Sequence, residues 1–416
     1  MSDHFDTLET RDPEIRERAQ LAALRAQIAY ARAHAPWFAR TLSGVDPAEI
    51  DTRSALASLP VVRKSELLEL QKADRPFGGF AAAGWGRLGR GARQVFASPG
   101  PIYEPEGDGS DYWRLARALY AAGFRAGDLA HNCFSYHFSP AGSMLETGLH
   151  ALGCTVFPGG TGQTEQQVQA MAELKAAGYV GTPSFLKIIL DKADELGVRL
   201  TALKKALVSG EAFPPSLRDA LGGRDIEAYQ VYASADLGSL AYESAAREGL
   251  IVDEGVLVEI VRPGTGDPVA PGEVGEVVAT PLHNRDYPLI RFGTGDLSAV
   301  LPGASPCGRT NMRIRGWMGR ADQATKVKGL FVHPAQVAGI ARRHPAIARA
   351  RLVVDQADGN DRMTLHVEVA PGATLQSESV VATMRELTKL RGELAVHAPG
   401  ELANDGKVID DIRKYD

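Results

Sequence analysis

Between residues 110 and 234, helical stretches alternate with short apolar ones, and this alternation restricts the available folds more than any other feature of the chain. "DYWRLARALYAAGF" has helical spacing, "DLAHNCFSY" reads as a strand, "GSMLETGLHALG" returns to helix and "CTVFPGG" to strand. "TEQQVQAMAELKAAG", "YVGTPSFLKIILDKADELG", "KKALVSGEAF" and "IEAYQVYAS" continue the series. Strand–helix alternation of this length predicts a parallel sheet covered by helices. Ligands of such sheets sit on loops at the carboxyl ends of strands, where "GTPS", "SGEAFP" and "VYASAD" fall.

The flanking segments read differently. Residues 13–42 are Ala-rich with apolar positions near helical spacing, which predicts one long helix broken before Pro36. "LPVVRKSELLEL" predicts a turn and then a helix capped by Ser65. From 250 to 318, short β runs such as "LVEIVRP" and "GEVGEVVAT", punctuated by Pro and Gly, predict a small antiparallel sheet or barrel. The last 95 or so residues hold a hairpin, two helices and two further strands, enough for a compact α+β domain. At 416 residues the chain exceeds one ordinary core, so more than one domain is expected.

Hydrophobic content of 44% and charged content of 23% are ordinary for a soluble globular chain. A formal net charge of −5 speaks against a nucleic-acid partner, which calls for a basic excess. Cys133, Cys154 and Cys307 lie far apart, without a CxxC pair, and read as thiols in a reducing compartment. The polar N-terminus is no secretory signal, and no apolar run approaches the roughly 18 residues of a membrane span. The expectation is a cytoplasmic enzyme with no membrane or nucleic-acid partner.

Two stretches carry candidate chemistry. In "YPLIRFGTGDLS", Asp296 follows two glycines at a strand end, where a carboxylate can accept both hydrogen bonds of a ribose diol or simply cap a turn. "GRADQATKVKG", residues 319–329, sets Arg320, Asp322, Lys326 and Lys328 on a stretch with glycine at each end. It reads either as a solvated loop or as a joint that moves catalytic groups.

"VYASAD", "GTGDL", "GRADQATKVKG" and "NDGKV" occur in that order, and their order and spacing resemble the adenylate-forming superfamily of acyl-CoA synthetases. With "YARAHAPWFA", "LPVVRKSEL", "AGFRAGDLAHNCFSY" and "GTPSFLKII", the closest likeness is to the phenylacetate–CoA ligase family, over nearly the whole chain. The resemblance implies an α/β fold with a large adenylation domain, 1–320, containing parallel sheets and a small β-barrel-like part. A small mobile α+β C-terminal domain, 321–416, would follow. It also implies ATP, Mg2+ and coenzyme A as cofactors and a small carboxylic acid, aryl or arylacetic, as substrate. Acyl adenylate would form first and the thioester second.

By the same resemblance, Tyr232 would stack on adenine, with Ser209, Gly210 and Glu211 on the adenine and ribose side and Ala233 among the cofactor-binding residues. Asp296 would hold the ribose hydroxyls and Arg320 the ribose or phosphate. Asp322 would be the hinge, Lys407 the adenylation lysine, and Lys326 the residue that faces the site during thioester formation. Lys328 reads as structural or as a surface lysine. Tyr136 and Phe138 in "YHFSPAG" would border the acyl pocket, and as core aromatics they would look the same. Asp236 would hold Mg2+, although the family carries a Glu there, one methylene longer.

Other departures are sharper. The family's phosphate loop should stand near residue 96, but "VFASPGPIYEP" lacks the run of hydroxyls and glycines, and Pro99 and Pro101 offer no N–H. Some relatives carry Cys and His where Ser244, Ile251 and Ser305 stand here, leaving Cys307, so no structural zinc is expected. The damaged loop raises an alternative: a relative that binds nucleotide or acyl compound without ligation. The acyl acceptor could also be a carrier protein or an amine. The oligomeric state stays open, a homodimer included.

Overall fold

The computed structural model describes residues 3–82, 84–85, 91–321, 325–328, 330–357, 360–403, 405 and 407–413, without the side chains of Trp85, Lys326, Phe331, Ala357 and Asn360. The chain divides into two compact units. The first comprises Met1–Val258, Ala279–Phe292 and Leu301–Gly316; the second comprises Glu259–Val278, Gly293–Val300 and Trp317–Asp416.

In the first unit, α1 (Pro13–His34) begins at an Asp12 cap whose carboxylate accepts from the N–H groups of Glu14 and Ile15. It stops before Pro36, where a short second helix, Pro36–Thr41, begins. Helix α2 (Lys64–Ala73) starts one residue ahead of Ser65. Its N-cap is Arg63, whose N–H donates to Glu66 at 3.4 Å, so Ser65 lies inside the first turn and caps nothing. A hairpin of β1 (Gln94–Ser98) and β2 (Ile102–Glu106) follows.

The alternating series then builds the sheet. In order come α3 (Ala116–Ala121), β3 (Leu129–Asn132), α4 (Ala141–Ala151), β4 (Thr155–Phe157), α5 (Thr164–Glu173) and β5 (Gly178–Gly181). They are followed by α6 (Pro183–Glu195), β6 (Lys205–Val208), α7 (Pro215–Gly222) and β7 (Glu227–Ser234). β8 (Gly238–Glu243), β9 (Leu250–Val252) and β10 (Arg313–Ile314) complete the set. In space these strands run β10–β9–β8–β7–β6–β5–β3–β4, within a sheet of nine whose outermost member beside β10 is Val300–Leu301. All pairings from β4 to β7 are parallel, and those from β7 to β10 are antiparallel.

The segment 111–115 departs from its helical reading. Asp111 accepts from the N–H groups of Leu115 and Ala116, and both Asp111 and Arg114 take positive φ, so the side chain ends the turn where spacing alone would continue a helix. The β runs from 250 to 318 also divide. Leu250–Val252 and Arg313–Ile314 join the large sheet, while Val256–Val261, Gly275–Pro281 and Phe292–Ser298 belong to an open four-stranded sheet.

Helix α6 shows how the layers are held. Leu186, Ile189, Leu190 and Ala193 share one face and are buried together with Tyr179, Ala206 and Val208 from the neighbouring strands. Full burial of each large aliphatic contributes about 1.5–3 kcal/mol. Leu186→Ala is therefore expected to cost about 2–5 kcal/mol, read as a lower urea midpoint at unchanged m-value.

In the second unit a hairpin pairs Thr325–Val327 with Leu330–Val332. Helix α8 (Pro334–Arg343) and strands β11 (Ile347–Ala357) and β12 (Asn360–Val369) come next. After α9 (Ser377–Thr388), β13 (Glu393–His397) and β14 (Ile409–Asp411) complete a sheet ordered β13–β12–β11–β14. Its core gathers Val337, Ile340, Leu352, Leu365, Val380 and Met384, so the tail has an apolar centre of its own. Among the described residues no helix is long and apolar enough to cross a membrane.

Candidate active site

Parallel strands β3, β5, β6 and β7 end side by side, and the segments that follow them gather the candidate groups. After β6, Ser209 donates its hydroxyl to the Val231 carbonyl at 2.7 Å, tying this turn to β7. Gly210 sits at φ +85, a left-handed conformation that costs glycine least. Glu211 accepts from the Ser184 N–H at 2.7 Å, so its carboxylate also serves the first turn of α6. On β7, Tyr232 pairs with Ala241, and a register shift falls between Tyr232 and Ala233. Such a bulge re-aims side chains at a strand end.

Asp236 lies just beyond, buried, with Oδ2 accepting from Lys64 Nζ at 2.5 Å and from Ser234 Oγ at 3.2 Å. Its Oδ1 is also buried and has no hydrogen-bond partner among the described residues. Lys64 is the first residue of α2, and Gln71 on the same helix exchanges two 2.8 Å hydrogen bonds with the Tyr103 backbone of β2. One helix thus serves both the Asp236 cluster and the hairpin.

The hairpin occupies the segment where a phosphate loop was expected. Ser98 pairs with Ile102, leaving Pro99, Gly100 and Pro101 as the turn, of which only Gly100 has an N–H. Both donors of Ser98 are spent on Glu104: the N–H at 3.2 Å and the hydroxyl to the other carboxylate oxygen. Burial pushes the Glu104 carboxyl up to about 8, helped by the negative charge of Asp236 and opposed by the Ser98 hydrogen bonds and Lys64. Glu104 therefore keeps its proton at neutral pH in the folded state and loses it near pH 4.5 when unfolded. The unfolded chain binds fewer protons across that window, so stability falls as pH rises from about 4.5 to about 8. Glu104→Gln is expected to flatten this fall and to gain a few kcal/mol over wild type at pH 8, in urea titrations at pH 5 and pH 8.

Loops after β3 and helix α4 make a further pocket. The Tyr136 hydroxyl donates to Glu146 at 2.7 Å and accepts from Asn132 at 2.8 Å, while Phe138 is 81% exposed at positive φ. The Cys307 thiol sits 3.1 Å from the Ser305 hydroxyl. Burial would raise its pKa, but hydrogen bonds from Ser244, Ser305 and Arg309 together bring it below the ordinary value.

The second unit carries the other candidates. Gly295, at φ +75, precedes Asp296, whose Oδ1 accepts from Arg320 Nη1 and Trp317 Nε1, each at 3.1 Å. Ala321 N–H closes on the Gly295 carbonyl at 2.7 Å, so the "GTGD" strand and the start of the glycine-flanked stretch are laced together. Lys407 is exposed and pairs with Asp410 at 2.9 Å, and Asp410 is also held by Arg351 at 2.7 Å. Lys328, at positive φ, donates its N–H to Asp361. The Lys326 backbone pairs with Phe331 in the hairpin, and its side chain lies outside the described residues, as does all of Asp322.

Four contributors were missed by the sequence reading: Lys64, Glu104, Trp317 and Glu146. Trp317 stands three residues before Arg320, a spacing that could have drawn attention to it.

Residues 112–281 match the family model for AMP-binding enzymes, a segment that contains the groups described at the ends of β3, β5, β6 and β7. The phenylacetate–coenzyme A ligase of Aromatoleum evansii is 30% identical over 373 residues, covering 86% of this chain and 82% of that one. The chain belongs to the phenylacetate–CoA ligase family of AMP-forming acid–thiol ligases. The Thermus thermophilus phenylacetate–coenzyme A ligase is 29% identical over 93% of this chain and 90% of its own. The fold also matches 2-hydroxyisobutyryl-CoA ligase solved in the postadenylation state with an acyl adenylate. That match has a TM-score of 0.72, 23% identity and coverage of 99% and 92% of the two chains.

Proposed function

We propose that the protein joins an aryl or arylacetic acid to coenzyme A, with ATP cleaved to AMP and pyrophosphate. One observation carries this reading: the turns after β6 and β7 bring Ser209–Glu211 and Tyr232–Asp236 to neighbouring strand ends, where parallel sheets bind ligands. The adenine would lie against Tyr232 and Ala233, and Asp296 with Arg320 would take the ribose and its phosphate.

Mg2+ fits Asp236 in one respect: the buried Oδ1 offers a carboxylate oxygen that no described residue uses. Mg2+ commonly takes one or two protein carboxylates and fills its remaining positions with phosphate oxygens and water. When bound it would neutralise charge on the phosphates. Lys64, already on Oδ2, would hold the carboxylate in place.

The chemistry sets the roles of the lysines. A carboxylate approaching an anionic α-phosphate meets charge repulsion, and a lysine between them offsets it while aligning the reactants. Lys407 would serve that step, and Lys326 would replace it when residues 321–416 turn about Asp322 for thioester formation. The division at 320/321 is part of this proposal.

Labelled pyrophosphate should exchange into ATP when an aromatic acid is present. Intact AMP binding with no exchange for any acid in a broad panel would defeat the reading. A second reading, nucleotide or acyl binding without ligation, is favoured by the hairpin, where Glu104 already uses both Ser98 donors. Calorimetry separates the two: tight AMP binding without Mg·ATP turnover supports the binder.

A further inference from the structure

The cavity between β1, the loop after β3 and helix α4 holds about 460 Å³, within the range of small-molecule sites. Phe96, Tyr136 and Phe138 supply aromatic walls, and Gln94, Ser143 and Glu146 supply polar ones. The polar groups are not neutral in direction. Asn132 Nδ2 donates to the Tyr136 hydroxyl at 2.8 Å and to the Gly142 carbonyl at 2.9 Å, which fixes the phenol. The phenol in turn donates its proton to Glu146 Oε2 at 2.7 Å.

Glu146 Oε1 accepts no hydrogen bond among the described residues. Among the described residues, His150 Nε2, one helical turn on, lies 3.8 Å from it, too far for a hydrogen bond. The Ser143 hydroxyl has given its proton to Glu106 Oε2 at 2.7 Å, so only its lone pairs are left for the cavity. Glu106 itself is fully buried and also takes Trp113 Nε1 at 2.6 Å. Among the described residues, the α4 side chains that line the cavity, Ser143 and Glu146, thus offer acceptors and no donor, while Gln94 on β1 brings an amide with both.

We propose that Glu146 selects the acid: the pocket takes an aromatic carboxylic acid whose ring carries a hydrogen-bond donor, hydroxyl or amino, directed at Glu146 Oε1. This rests on the ligase reading above and on the acyl-pocket role that the family resemblance implies for Tyr136 and Phe138. An unsubstituted ring or an ether would cover the carboxylate without replacing its water, whereas a phenol or amine supplies a charge-assisted hydrogen bond. Sites built to bond a substrate O–H discriminate strongly against the analogue lacking it.

The test is calorimetric titration of the full-length protein with phenylacetate, 3- and 4-hydroxyphenylacetate and the methyl ethers of both phenols. One hydroxy acid is expected to bind at least about 10-fold tighter than phenylacetate and than its own ether. In Glu146→Leu that ratio should fall to about one. Glu146→Gln has a single carbonyl oxygen, so keeping the bond from Tyr136 turns its NH2 toward the ligand, and most of the preference should be lost there too. Equal binding of phenol and ether, a preference that survives Glu146→Leu, or no binding of any of these acids overturns the inference. Pyrophosphate exchange with the same acids separates the two claims. Exchange without discrimination sinks only the role of Glu146. Discriminating binding without exchange sinks only the ligase reading.

Discussion

Lys407→Ala is expected to lower acid-dependent pyrophosphate exchange by about 10²–10³-fold, with a much smaller effect on thioester formation from presynthesised acyl adenylate. The magnitude follows from removing one positive charge from a reaction between two anions. In the structure Lys407 rests on Asp410, an exposed pair worth about 1 kcal/mol or less, so releasing it costs little. Arg351 stays on Asp410 and keeps that carboxylate compensated when the lysine leaves. Lys407→Arg keeps the charge in a different shape and should fall between the two. An equal loss in both half-reactions would remove Lys407 from adenylation.

The second large effect is at Asp296. If its carboxylate holds a ribose diol, Asp296→Ala should weaken AMP binding by about 10²-fold or more, since hydrogen bonds to a charged acceptor contribute about 1.5–3 kcal/mol each. The same substitution removes the acceptor for Arg320 and Trp317, so a loss of affinity alone would not isolate the sugar. Dideoxy-AMP, lacking both ribose hydroxyls, makes the distinction. Wild type should prefer AMP strongly, and Asp296→Ala should bind the two nucleotides alike. A preference for AMP that persists in the variant would place the diol elsewhere.

The parts of this molecule that were legible in the sequence are those governed by local pattern. β3, β5, β6 and β7 could be read from apolar runs between helical stretches, and the turns "SGE" and "YASAD" followed because ligand loops sit at strand ends. The local misreadings have local causes. At 111–115 the Asp111 side chain competes with helical hydrogen bonding. At 63–66 Glu66 reaches back to the Arg63 N–H and moves the helix start ahead of Ser65.

The polar clusters were not legible, because they join residues distant in the chain. Lys64 meets Asp236 across 172 positions, and nothing in "RKSEL" distinguishes this lysine from a solvated one. Glu104 is adjacent to Pro105 in a segment notable mainly for what it lacks, and only the folded hairpin shows its carboxylate turned back on Ser98. Glu146 looks like an ordinary polar residue of an amphipathic helix until Tyr136 is placed against it.

A ligase of this kind splits the nucleotide between its α- and β-phosphates to activate a carboxylate. Mixing the protein with ATP, Mg2+, coenzyme A and a hydroxyphenylacetate, and separating the products by chromatography, tests this directly. AMP and hydroxyphenylacetyl-CoA should accumulate in equal amounts, with no AMP when the acid is omitted. ADP in place of AMP, or AMP that forms without acid and without thioester, would contradict it.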